Sequence, residues 1–327
     1  MRRSRERTLP LKSAQLKGLI ATIVSVDGAA PGQKPTVTFQ LTEKDGTVIS
    51  PQPFGSNLNL LMGGPTKDYA INPIRERADG ASFNGTLATY TFSRMIPADA
   101  IGTWAFSIEA RRTVTLNQGT TSQMNVTEGA FNPVSYAAVT DSQPVARRMV
   151  VTMAKCNECH DRLALHGGQR LNVDECVMCH NPNASDSARR PADKNPVESI
   201  DFKRMIHRIH TGEELTQDYT VYGFFTPPNP PNPVNFNEVL FPGDRRDCTT
   251  CHAANTYQLP LGEDLLPTQT PRDYYSPQQP TATSCLGCHD TRAAAAHAFV
   301  NTAPFGEACA SCHGRNAEFA IDKVHAR

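Results

Sequence analysis

The sequence predicts a multidomain protein with two architectures in series. Residues 15–142 read as an all-β sandwich or split barrel, residues 143–327 as a domain of short helices and loops with little regular structure, and residues 1–14 as a tail. Three observations lead there. Short β-type runs separated by Gly and Asn turns fill the first half. All ten cysteines lie beyond residue 155. The ten histidines follow the same division, because the first 155 residues contain none. At 327 residues, the chain has the length of about two ordinary domains.

The β half can be taken in order. "LKGLIATIVSV" (16–26) mixes apolar and polar positions in the manner of a strand. "PTVTFQLTEKDGTVI" (35–49) reads as a strand, a turn at Asp45-Gly46 and a second strand. "GTLATYTFS" (85–93), "GTWAFSIEARR" (102–112) and "SQMNVTEG" (122–129) continue the series. Their spacing fits an antiparallel sandwich or barrel, with the single tryptophan, Trp104, in its core. "VTDSQPVARR" (139–148) marks the boundary, polar and interrupted by a proline.

Composition narrows the function. Lys+Arg and Asp+Glu both number 32, so nothing points to a nucleic-acid partner. Hydrophobic residues make up 39 % and aromatics 7 %, modest material for a large apolar core. No run approaches the roughly 18 apolar residues of a membrane span. The basic start "MRRSRERTLPLK" is not followed by an apolar stretch, so these residues are not expected to form a complete export signal.

The cysteines all fall into one pattern. "CNECH" (156–160), "CVMCH" (176–180), "CTTCH" (248–252), "CLGCH" (285–289) and "CASCH" (309–313) use Cys156, Cys159, Cys176, Cys179, Cys248, Cys251, Cys285, Cys288, Cys309 and Cys312. C-x-x-C-H is the attachment signature of c-type haem. Two thiols at this spacing add to the two vinyl groups of one haem, and the next histidine is held under the iron. Zinc knuckles, redox dithiols and disulfides also use Cys-x-x-Cys. None of them requires a histidine after every second cysteine. Five c-type haems, attached covalently, are therefore expected. Because thioether attachment takes place outside the cytoplasmic membrane, the protein is expected to be exported.

The histidines add a second count. His160, His180, His252, His289 and His313 belong to the motifs as proximal iron ligands. His166, His207, His210, His297 and His325 remain, one for the sixth position of each iron. Methionine is the usual rival; Met153, Met178 and Met205 are read instead as packing against the haems. His166 lies six residues beyond His160, about 9 Å of helical rise, too short to wrap round the same haem. It and His297 are expected to serve neighbouring irons. In "DFKRMIHRIH" (201–210), Phe202, Met205, Ile206 and Ile209 form an apolar helical stripe with His207 and His210 along its edge.

Residues 149–327 would carry these haems at about 36 residues each, too thin a chain for an ordinary core. The macrocycles are expected to be the core. "TPPNPPNP" (226–233) reads as a polyproline-like loop and "TRAAAAHAF" (291–299) as a helix bearing His297. Arg147, Arg148, Arg189, Arg190, Arg245 and Arg246 occur in pairs that could neutralise haem propionates or stay solvated at the surface.

The stretches "PVARRMVVTMAKCNECHDRLALHGGQR", "DFKRMIHRIHTG" and "CASCHGRNAEFAIDKVHAR" resemble a pentahaem domain of the outer-membrane decahaem cytochromes of metal-reducing bacteria, the OmcA/MtrC family. "APGQKPTVTFQLT", "GGPTKDYA" and "IPADAIGTWAFSIEARR" resemble the β-barrel domain that precedes such a domain. The resemblance implies one β-domain plus one pentahaem domain at the outer cell surface. Implied partners are other cytochromes or a porin–cytochrome conduit, and implied acceptors are metal oxides, soluble metals or flavins. The chain departs from the family in carrying five motifs rather than ten and in lacking a cysteine pair in its β-domain. A thiol-switched flavin site is therefore not expected.

An electron-transfer protein, rather than an enzyme, is the expected function, because bis-histidine iron has no open position. The alternative is a multihaem oxidoreductase with one open haem, converting nitrogen oxides. A third possibility gives the β-domain a docking role.

Overall fold

The structure is a computed structural model that describes residues 13–225 and 228–325. Most of the expected tail, and the first two residues of "TPPNPPNP", lie outside the described residues. By its internal contacts the chain divides into two compact units. The first holds residues up to Lys67, Pro73–Arg148 and Thr152–Met178; the second holds Asp68–Asn72, Met149–Val151 and the residues from Cys179 onward.

Two antiparallel sheets organise the first unit. One contains β1 (Ile20–Asp27), β2 (Thr36–Thr42), β5 (Ser82–Phe83) and β6 (Ala88–Thr91), in the order β1-β2-β6-β5. The other contains β3 (Leu58–Gly63), β4 (Ile74–Arg77), β7 (Thr103–Leu116), β8 (Met124–Gly129) and β9 (Val134–Ala138). Its order is β4-β3-β7-β8, and β9 also pairs with β7. β2 alternates as a half-buried strand should: Val37, Phe39 and Leu41 turn inward. They meet Leu58, Leu60, Met62, Trp104, Phe106 and Ile108 in one core. Each large side chain so buried contributes roughly 1.5–3 kcal/mol. Trp104 lies close to Gly64, where an added Cβ would stand 2.4 Å from the indole.

The expected second strand of 35–49 does not form. The pairing around the turn is limited to the bridge Thr42↔Val48 and the bonds from the Glu43 N–H to the Thr47 carbonyl and from the Ile49 N–H to the Leu41 carbonyl. Pro51 and Pro53 follow at once and supply no N–H to extend a ladder. In contrast, β3, "LNLLMG", is buried along its whole length.

β7 also carries charge inward. Glu109 is fully buried and accepts from Arg75 at 2.7 Å, Arg170 at 2.6 Å and Gln169 at 3.0 Å. Asn132 donates to the Ile108 and Gln169 carbonyls and accepts from the Leu171 N–H. These bonds tether the segment between the first two motifs to β7. Ser107 donates to Glu175, whose carboxyl is pushed up to about 8 by burial and by the nearby Glu109.

The second unit is built of short helices and loops. Its named pieces include α3 (Phe202–Thr211), α4 (Pro280–Leu286), α5 (Arg292–Val300), α6 (Ala310–His313) and α7 (Ile321–Val324). α1 (Met153–His160) and α2 (Val173–Cys179) precede them. Asn232 and Pro233, the last two residues of the expected polyproline-like loop, instead open a strand, Asn232–Asn235, paired with Thr220–Gly223. An apolar cluster here consists of Ala282, Leu286, Ala295 and Ala298, with Tyr275 and Ala294 against it. Arg190, Arg204, Arg208, Asp186, Glu198, Asp201 and Asp290 are buried in the same unit. No helix among the described residues is long and apolar enough to cross a membrane.

Candidate haem-binding site

Every C-x-x-C-H motif lies on or beside a helical turn. "CNECH" closes α1 and "CVMCH" runs through α2, while "CTTCH" forms a 3-10 turn at Cys248–Thr250. "CLGCH" follows from the end of α4, and "CASCH" begins α6. A helical turn brings positions three and four apart onto one face, so both thiols and the imidazole project together. In the last three motifs the histidine N–H bonds back to the first cysteine's carbonyl, at 2.9 Å for His252, 2.8 Å for His289 and 2.9 Å for His313.

Local capping sets these turns. The Thr152 hydroxyl accepts from the Lys155 N–H at the start of α1. Asn172 accepts from the Asp174 N–H before α2. Glu307 accepts from the Thr281 and Ala282 N–H groups at 2.8 and 2.7 Å, fixing the start of α4. An anion there also complements the helix dipole.

Three histidine pairs face each other. His207 and His252 have ring centroids 6.1 Å apart and planes 17° apart. His289 and His325 stand 5.7 Å apart at 79°, and His297 and His313 stand 6.1 Å apart at 88°. Each pair joins one motif histidine to one histidine outside the motifs. A metal–imidazole bond is about 2 Å, so two rings sharing one metal have centroids roughly 6 Å apart. Among the described residues, no group of three or more His, Cys, Asp or Glu is placed to hold a metal ion directly.

The remaining four are placed as follows. His160 ends α1 and is exposed; His166 is exposed, in a left-handed turn with φ 51°. His180 follows α2, and His210 lies on α3 with its ring 5.7 Å from that of Phe241.

Hydrogen bonds at Nδ1 leave Nε2 available to a metal. His180 Nδ1 donates to the Ile200 carbonyl at 2.8 Å, His210 Nδ1 to Ile206 at 2.9 Å and His313 Nδ1 to Phe319 at 3.1 Å. The Thr256 hydroxyl gives its proton to the Val150 carbonyl and presents its lone pair to His252 Nδ1 at 3.4 Å. Metal-bound histidines are oriented in this manner. Burial, reinforced by the His252 and His210 rings, pushes the His207 imidazole down to about 4, so it is neutral at pH 7 with its lone pair free.

The family model for the outer membrane cytochrome MtrC/MtrF-like proteins, domains II/IV, matches residues 148–326, the stretch that contains all of these turns. The chain belongs to this family. The crystal structure of MtrC from Shewanella baltica OS185 is similar in fold, with a TM-score of 0.56 at 16 % identity over 94 % of this chain and 53 % of that one. The chain thus spans about half the length of that MtrC. No curated protein matches it.

Within this MtrC/MtrF-like stretch, several surroundings of the histidines carry no local sequence signal. Gly287, between the cysteines of "CLGCH", sits where an added Cβ would stand 2.6 Å from the His207 Cβ. Tyr257 lies against His252 and Phe319 against His313. Among the paired arginines, Arg190, Arg245 and Arg246 have protein partners. Arg190 is no free surface cation: it pairs with Asp186 at 2.9 Å and donates to the Lys194 and Thr220 carbonyls. Arg246 pairs with Asp244, and Arg245 donates to the Thr211 carbonyl. Met178 is fully buried in the first unit, within reach of Gly63 on β3.

Proposed function

We propose that this chain is an electron relay of the outer cell surface, carrying five c-type haems at its five C-x-x-C-H motifs and passing electrons to extracellular acceptors. Metal oxides, soluble metals, flavins and partner cytochromes are the acceptor classes, and a porin–cytochrome conduit or another cytochrome is the source. Family membership among outer membrane cytochromes supports the location.

The observation that carries the reading is the three facing histidine pairs, at the spacing two imidazoles need to share one iron. His252, His289 and His313 are then proximal ligands, with His207, His325 and His297 opposite them. By count, His160 and His180 serve the other two irons, with His166 and His210 as the remaining distal ligands. The ten motif cysteines form the thioethers.

The haems, when bound, supply one-electron couples. The paired imidazoles would hold each iron from both sides, and the chemistry the haems would then supply to an acceptor is outer-sphere electron transfer. Residues 143–327 are the haem-bearing domain in this proposal, and residues 15–142 orient it on a partner.

The test uses exported, matured protein. Intact mass and a pyridine haemochrome assay should give five haems per chain. The reduced protein should show low-spin spectra, fail to bind CO, and be reoxidised by a soluble ferric chelate. A high-spin band or CO binding in the native protein would sink the proposal in favour of an enzyme with an open haem.

A further inference from the structure

Helix α3 is inverted for an amphipathic helix. Its apolar residues Phe202, Met205, Ile206 and Ile209 are only partly buried, whereas Arg204 and Arg208 are each 1 % exposed. At roughly 100° per residue, Arg204, Arg208 and Thr211 share one face, with His207 about 60° and His210 about 120° round from its centre. The two histidines therefore stand on a helix anchored by its charges.

Those charges meet carboxylates from distant segments. Arg204 Nη1 donates to Asp273 at 2.7 Å, with Glu198 at 3.8 Å from its Nε. Arg208 lies 3.9 Å from Asp273 and 3.7 Å from Asp290, beneath the ring of Tyr219. Arg272 stands 3.4 Å from Glu198 on the far side. Asp290 is the residue immediately after His289, and it also accepts from the Thr216 and Gln217 N–H groups at 2.8 Å each. Gly287 completes the seat by admitting the His207 Cβ beside the fourth motif.

We propose that Arg208 and Asp290 are positioning residues that seat the His207 helix on the fourth motif and set, with opposite signs, the potential of the iron held by His207 and His252. The inference rests on the bis-histidine reading above. Oxidised haem carries one more positive charge than reduced haem, and the couple exchanges one electron with no bond made or broken. A buried guanidinium disfavours the oxidised form and a buried carboxylate favours it; the low-dielectric setting magnifies both effects.

The test is an EPR-monitored redox titration of the holoprotein, following the low-spin signal that His207→Met removes. Arg208→Met should lower that potential by roughly a tenfold change in the oxidised-to-reduced ratio, about 59 mV for a one-electron couple. Asp290→Asn should raise it, and the double variant should return towards the parent. Where Arg208→Met fails to mature, Asp290→Asn alone decides, since it keeps the side chain's shape. Shifts of the same sign in both, or no shift in Asp290→Asn with the low-spin spectrum intact, would overturn the inference. A parent protein without bis-histidine signals would instead overturn the function on which it rests.

Discussion

His207 and His252 face each other with nearly parallel rings, while His297 and His313 face each other almost at right angles. The angle has an electronic consequence for a shared iron. Parallel imidazole planes split the two iron π-type orbitals and give a rhombic low-spin EPR spectrum. Perpendicular planes leave them nearly degenerate and give a strongly anisotropic one. Among the signals of its five low-spin haems, the oxidised protein is expected to show a rhombic one from His207/His252 and strongly anisotropic ones from His289/His325 and His297/His313. Loss of an anisotropic signal in His207→Met would contradict the pairing.

His325 stands 5.7 Å from His289 at the end of the described chain. Replacing it, His325→Ala, should open one axial position without touching a thioether. The variant should keep all five haems, gain a high-spin band, and bind one CO per chain in the reduced state. Five unchanged low-spin haems would show that His325 is not a ligand.

Gly64→Ala should destabilise the first unit by about 1–3 kcal/mol, the usual cost of overpacking a core. The added methyl would lie 2.4 Å from a rigid indole held between sheet neighbours. Tryptophan fluorescence reports on this site directly, because Trp104 is the only tryptophan. A denaturation midpoint equal to the parent's would show that the indole can yield.

Glu175 makes stability depend on pH in an unusual direction. Its carboxyl is raised to about 8 by burial and by Glu109, against about 4.3 for an unfolded glutamate. Between those values the folded state keeps a proton that the unfolded chain has released, so stability is full at low pH and falls as pH rises towards about 8. Glu175→Gln should flatten that fall and gain stability of the order of a few kcal/mol above it. Thermal unfolding of both proteins at pH 5, 7 and 9 measures the slope; parallel curves would mean that Glu175 titrates normally.

The motifs were fully legible because their information is local: two thiols and an imidazole within one helical turn. The pairing of histidines was not, because His207 and His252 lie 45 residues apart and His289 and His325 lie 36 apart. Nothing in the local sequence marks Arg204 and Arg208 as buried, since their counter-ions Asp273 and Asp290 come from remote loops. In the β half, the alternating strand β2 was visible. The uniformly buried β3 gave no alternation to detect, and the prolines after Ile49 cut short an otherwise convincing hairpin.

The small apolar cluster of the second unit has a consequence for biogenesis. Among the described residues of that unit, the four side chains of this cluster and the buried Tyr69, Ala184, Leu215, Tyr219, Leu259 and Ala320 give a folding chain modest apolar surface of its own to collapse around. Phe299, Phe305 and Phe319, meanwhile, are half to almost fully exposed. Maturation would therefore act as a quality gate. Chains that miss a thioether bond should keep greasy loops open to proteases and be cleared before reaching the surface, so that cells starved of haem accumulate fragments rather than unfinished cytochrome. Limited proteolysis of chains with and without attached haem would reveal the gate; equal resistance would close the argument against it.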